Sequence, residues 1–283
     1  MNTLLPSSLS THEATPRKHR VLVVSTAFWH ALRRDITTTI NWLLPFLLQV
    51  LILPFSLLFV FGKILPEVGV TQQLYPAIFF PGVVALTIFM ASLQGASVAL
   101  MLDLGENREI DDRLLAPMPL SLLALEKVVF STMRSLVAAG LTFLLGYIVL
   151  GSNYQVRVDD LWLTLTLLLL YALSSASFGL VVGTLLPVDK IYLLFSLIFS
   201  AILYTGCVYY TWTSISTIKA LQVISLFNPL TYAAEGLRST MVPIEHGKAV
   251  STLPIGVAIT GLIASFLISL ALGIWLFRRR VIS

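Results

Sequence analysis

The sequence predicts an all-α integral membrane protein with six transmembrane helices, and three observations carry that expectation. Of 283 residues, 57% are hydrophobic and only 11% are charged, whereas a soluble chain carries roughly a quarter charged residues. Apolar runs long enough to cross about 30 Å of hydrocarbon, close to twenty residues at a rise of 1.5 Å, recur along the chain. Lysines and arginines gather at the ends of those runs, so the net charge of +4 is membrane-surface charge and not a nucleic-acid footprint. Cys207, the single cysteine, lies in an apolar run and excludes an intrachain disulfide.

Residues 1–19 are polar, carry Pro6, His12, Pro16 and His19, and lack the apolar core of a signal peptide. They are expected to be a disordered cytoplasmic tail. Residues 20–38 follow as an amphipathic helix. Val21, Val24, Phe28 and Leu32 share one side while Thr26, His30, Arg33 and Arg34 take the other, the pattern of a helix lying in the membrane interface. His30 has no second ligand at i+4, so no metal site is expected there.

The remainder, residues 39–283, forms the transmembrane domain. The expected spans are Asn41 to Phe61, Tyr75 to Leu102, Leu120 to Leu150, Leu161 to Leu186, Ile191 to Tyr210 and Leu253 to Phe277. Pro45, Pro54, Pro76 and Pro81 fall inside or at the mouths of the first two and are candidates for kinks. If the amino terminus is cytoplasmic, 13 of the 18 lysines and arginines lie on the cytoplasmic side, which favours that orientation for both termini. Small residues recur every fourth position at Ala91, Gly95 and Ala99 and at Ser175, Gly179 and Gly183, stripes that let helix backbones approach closely, within one subunit or between two.

Between the second and third spans runs the densely charged segment Asp103 to Pro119. Asn107 is placed to cap a short helix, Glu109, Asp111 and Asp112 favour its positive end, and Pro117 and Pro119 stop it. Ile110 and Leu114 share a face beside Glu109, Asp112 and Arg113, so the segment is either a partner-docking element or a solvated turn. Before the last span, Asn228 caps and Pro229 opens a helix reaching Met241. Leu230, Ala233, Ala234, Leu237 and Met241 form its apolar face; Thr231, Glu235 and Arg238 form another, with Glu235 and Arg238 spaced to pair. It is expected as a half-buried re-entrant or interfacial helix at the outer face, where Tyr232 also sits. Tyr204, Phe195 and Arg134 are candidates for a substrate path, although Glu126, Lys127 and Arg134 also suit snorkelling or local pairing.

The segments FFPGVVALTIF (Phe79 to Phe89), NREIDDRLLAPMPLSLLALEKVV (Asn107 to Val129) and NPLTYAAEGLRSTM (Asn228 to Met241) together resemble the membrane permease subunit of type-2 ATP-binding-cassette exporters, the family of daunorubicin-type drug efflux, nodulation-factor and polysaccharide export permeases. The resemblance covers nearly the whole chain after Arg20. It implies that Glu109, Ile110, Asp111, Asp112, Arg113 and Leu114 belong to a cytoplasmic coupling helix docking on a separate ATPase subunit, which would hold the ATP and Mg. It also implies a second permease copy, membrane lipids as partners and residence in the bacterial inner membrane. Family loops often run Gly, aromatic, Asp or Glu, Arg, whereas this one presents Ile110, Asp111, Asp112, Arg113.

No phosphate-binding glycine loop occurs, since Gly247-Lys248 is followed by alanine. The spans hold no cluster of metal ligands and no serine nucleophile beside a base. No cofactor is therefore expected in this chain. The reading is a transport subunit; the alternative is a lipid- or glycan-modifying enzyme using Glu235 and Arg238 at the outer face.

Overall fold

Among the described residues five helices are long and apolar enough to cross a bilayer, and one shorter apolar helix accompanies them. They belong to a computed structural model that describes residues 17–41, 43–72, 74–104, 119–156, 160–185, 191–242 and 252–282. Among these residues the regular structure is entirely helical. The fold class expected from composition, an all-α integral membrane protein, is the observed one.

Helix α1 spans Arg17–Asn41. Leu32 is buried and Val24 and Phe28 are half-buried, while Thr26, His30, Arg33 and Arg34 are exposed; the side chain of Val21, the fourth residue of the expected apolar face, lies outside the described residues. The first span, α2, covers Leu43–Glu67 and widens to a π-helical stretch over Leu58–Ile64. That stretch brings Gly62 against the helix of Leu120–Leu150, where an added Cβ would lie 2.4 Å from Leu150 Cδ2. The next three helices are α3 (Tyr75–Leu104), α4 (Leu120–Leu150) and α5 (Leu161–Leu185). Helix α6 is Ile191–Thr205, α7 is Lys219–Ser225, α8 is Pro229–Met241 and α9 is Ile255–Ile282.

The bundle is organised around α3. Of its most apolar stretch, 89% is buried inside the protein, against 28% for α2 and 17% for α9, so α3 is the protein-facing helix and the other two leave most of their surface for lipid. Phe79, Phe80, Val83, Leu86, Ile88 and Phe89 form the centre of the core. Close approach on either side depends on small residues, because lipid tails are as apolar as leucine and tight packing must supply the attraction. An added Cβ on Gly179 of α5 would come within 2.9 Å of Ala96, and one on Gly183 within 2.8 Å of the Ser97 backbone. Gly95 abuts Ser131 of α4 at 3.0 Å on the same measure. The glycines of both small-residue stripes thus pack helices within one subunit. Helix α9 lies along α5 and is tied to it by Ser174 and Ser265 at 2.9 Å.

The fifth expected span, Ile191 to Tyr210, is shorter than the sequence suggested. Helix α6 has 15 residues and a length of about 22 Å, less than the hydrocarbon thickness. It stops where Gly206 passes beneath Leu230, whose Cδ2 would be 2.5 Å from an added Cβ, and where Cys207 takes φ +53°. A non-glycine residue in the left-handed region interrupts helical propagation.

Gly183→Ala forces a shift of the α3 backbone, whereas Gly140 has no atom within 4 Å of an added Cβ. Gly183→Ala is expected to lower stability by about 1–3 kcal/mol through overpacking. Gly140→Ala is expected to be neutral or to stabilise by up to about 1 kcal/mol. Thermal melts of the two purified variants in the same detergent are expected to show a lowered midpoint for Gly183→Ala and an unchanged or raised one for Gly140→Ala.

Candidate functional site

The two ends of the bundle carry the polar chemistry, and α8 organises one of them. Asn228 adopts an extended backbone and its Oδ1 accepts from the Leu230 amide at 3.0 Å, with Pro229 at the first helical position. The same side chain donates through Nδ2 to the Ile202 carbonyl at 2.8 Å and to Thr205 Oγ1 at 2.9 Å. One residue therefore starts α8 and holds it to the end of α6. Tyr232 and Thr231 add donors to the Leu226 and Ser225 carbonyls, each at 2.7 Å, which fixes the turn after α7.

The apolar face of α8 is buried, as its spacing required. The polar face is buried too: Thr231 and Glu235 are 0% exposed and Arg238 is 1% exposed. The helix is consequently not half-buried. Its charged side chains point inward because the surrounding backbone supplies their partners. Arg238 Nε donates to the Ile78 carbonyl of α3 at 2.8 Å. Its Nη2 donates to the Cys207 and Val208 carbonyls at 2.6 and 2.7 Å, and its Nη1 to Glu235 Oε1 at 2.7 Å. Glu235 also accepts from the Trp212 amide at 3.0 Å and, through Oε2, from the Leu253 amide at 3.2 Å.

This pair links four segments: the start of α3, the turn after α6, α8 itself and the entry to α9. Burial pulls the Arg238 guanidinium below its ordinary pKa, and the Glu235 carboxylate opposes that shift. Gly82 permits the close approach, since an added Cβ would sit 2.4 Å from the Val208 carbonyl oxygen. Beside it, Phe79 stacks on Tyr75 and Tyr209, and Phe61 packs against Phe79 and Tyr209 at a tilt, with ring centroids 5.4–5.7 Å apart; the Tyr75 hydroxyl donates to the Tyr209 carbonyl at 3.2 Å. A carboxylate and a guanidinium this enclosed and this fully engaged present neither a free acid nor a free base to a substrate, which disfavours the modifying-enzyme alternative.

At the opposite end, Lys127 of α4 is buried and pairs with Asp35 of α1. Glu126 approaches the same ammonium at 3.6 Å. Arg280, in the last turn of α9, donates to the Thr184 carbonyl at 2.6 Å and the Gly183 carbonyl at 3.3 Å, capping the carboxyl end of α5. The contacts of Asp35 and Arg280 were not read from the sequence. Their signal was present only as isolated charge: Asp35 is the one acidic residue between Ala14 and Pro66.

Glu109, Ile110, Asp111, Asp112, Arg113 and Leu114, expected from the resemblance to form a coupling helix, lie outside the described residues. Phe195 lies on α6, with its side chain also outside them. Tyr204 of α6 is exposed, and Arg134 of α4 sits with its guanidinium 4.6 Å from the Phe46 ring centroid of α2. Among the described residues no group of three His, Cys, Asp or Glu side chains is placed to hold a metal.

Removing one member of the Glu235–Arg238 pair strands the other charge in a buried site. Arg238→Met is expected to cost about 3–5 kcal/mol. The double variant Glu235→Gln/Arg238→Met is expected to cost less than the two single changes summed, since the partners share one network. Denaturation of the detergent-purified set checks this, and strict additivity would show the pair to be uncoupled.

Comparison with known proteins accords with this architecture. The ABC-2 type transporter family matches residues 26–242, from within α1 to the residue after α8. No curated protein matches the chain. With a match over most of its length and a multi-pass helical fold, the chain belongs to the ABC-2 type transporter family and is a membrane permease.

Proposed function

We propose that this permease works as two copies with a separate ATP-binding-cassette ATPase, and exports a hydrophobic or lipid-linked compound across the bacterial inner membrane with both termini cytoplasmic. Family membership supports an ATPase partner in general terms. The absence from the sequence of a phosphate-binding glycine loop supports placing ATP and Mg on that partner. The 13-of-18 charge bias supports the orientation. An exposed stripe on α6, formed by Ser196, Leu197, Ser200, Ala201 and Tyr204, supports an unfilled lateral contact that a second copy would cover.

The observation that carries the mechanism is the Asp35–Lys127 ion pair. It joins α1 to the first turns of α4, the helix that directly follows the charged segment containing Glu109 to Leu114. In this reading ATP-driven closure of the ATPases pushes on that segment, and α1 and α4 move as one lever. Displacement at the Lys127 end then propagates along a 31-residue helix whose far end packs against the α8 assembly through α3.

The test is vanadate-sensitive ATP hydrolysis and export in vesicles reconstituted with the partner ATPase. Asp112→Ala/Arg113→Ala is expected to abolish stimulation of the ATPase by the permease. Asp35→Asn is expected to leave ATPase binding intact and to reduce export per ATP by roughly fivefold or more. Export that persists without hydrolysis, or that ignores both substitutions, overturns the proposal.

A further inference from the structure

Arg134 is a cation that the fold leaves uncompensated. It stands seven residues beyond Lys127 on α4, about 10 Å deeper into the span. Arg134 is half-buried, and among the described residues the two fully buried cations each meet a carboxylate: Lys127 has Asp35 and Arg238 has Glu235. No carboxylate reaches Arg134 among the described residues, and its buried Nε has no hydrogen-bond partner. The sequence shows why. No acidic residue occurs between Val128 and Leu150 of α4, between Leu43 and Pro66 of α2, between Tyr75 and Leu102 of α3, or between Leu161 and Leu185 of α5.

The guanidinium is nevertheless held in place. Its plane lies over the Phe46 ring at 4.6 Å from the centroid, a contact that fixes a planar cation while leaving its edge donors available. Phe46 is itself buried among Val50, Ala91 and Ala138, so the platform is rigid. Around it the surface is apolar: Met133 and Val137 on α4 are 46% and 57% exposed, and Leu44 and Leu48 on α2 are 68% and 60% exposed. A fixed cation with free donors, set in an apolar surface at membrane depth, is complementary to an oxyanion attached to a hydrocarbon tail.

The geometry points to an intramembrane binding site at Arg134 and Phe46, between α2 and α4, for the phosphate headgroup of an amphiphile whose tail lies along the exposed leucines, valine and methionine. The site is independent of ATP coupling. Its occupant carries a phosphodiester or phosphomonoester with no cation of its own, because the guanidinium edge matches two oxygens of one phosphorus, a tethered quaternary ammonium would offset that phosphate's charge beside an unpaired cation, and the apolar surroundings exclude a freely hydrated anion.

The test uses the full chain, purified in detergent and titrated with phosphatidylglycerol or phosphatidylcholine under native mass spectrometry, with no ATPase present. The wild type is expected to retain one phosphatidylglycerol with a preference of about tenfold over phosphatidylcholine, the scale of one charge-assisted contact. Arg134→Gln is expected to lose the preference. Arg134→Lys keeps part of it, since the charge remains but the planar fork does not, and this variant guards against misfolding of the first. Lys219→Gln, at an exposed cation on α7, leaves it unchanged. Equal retention of the two lipids by the wild type, or a preference that survives Arg134→Gln, overturns the site. Displacement by millimolar inorganic phosphate overturns the amphiphile assignment in favour of a water-accessible anion site. None of these outcomes alters the ATPase reading, which fails or stands on hydrolysis and export.

Discussion

A backbone inside a membrane protein must satisfy its own carbonyls, and the end of α6 is where this chain meets that requirement with a side chain. The helix stops at Thr205, and the Cys207 and Val208 carbonyls that follow have no helical donors. Arg238 reaches them from α8 while also taking the Ile78 carbonyl of α3. Five donors in a fixed fork suit this task, and a point-like ammonium would not cover three carbonyls and a carboxylate together. Glu235 balances the charge and collects two backbone amides of its own. The irregular segment between α6 and α8 is tolerated because it is enclosed in protein, the condition under which non-helical backbone survives at membrane depth.

The middle of the bundle is held by different physics. Between α3, α4 and α5 there are few polar contacts, and the helices approach because glycine, alanine and serine face one another. Charges return at the other end, where Asp35 meets Lys127 and Arg280 closes the carboxyl terminus of α5. A tightly packed centre with paired charges at each end favours rigid-body motion, since packed interiors shift between discrete arrangements more readily than they deform. The peripheral α6 is held to α8 by Asn228 near its end and is exposed along one side.

Local signals were legible in the sequence and distant ones were not. The bounds of α4 follow from Pro119 before it and Gly151 after it, the latter with φ +53°. Asn228-Pro229 announced α8 for the same reason: cap and first-turn chemistry are written within three residues. The end of α6 was misplaced because Val208, Tyr209 and Tyr210 prolong an apolar run. What interrupts it is Leu230 against Gly206, a contact between residues 24 positions apart. Glu235 and Arg238 were legible as a pair, being three residues apart, but their inward direction depends on carbonyls from α3 and the α6 turn. Asp35 and Lys127 are 92 residues apart, and no periodicity connects them.

The fully enclosed thiol of Cys207, wedged beneath α8 with its backbone in the left-handed region, has a practical corollary. Aqueous maleimides have no route to it while the fold is intact, so reporter cysteines can be introduced on either face of the bilayer without first deleting the native one. Retaining it also avoids disturbing a residue whose carbonyl anchors the arginine fork.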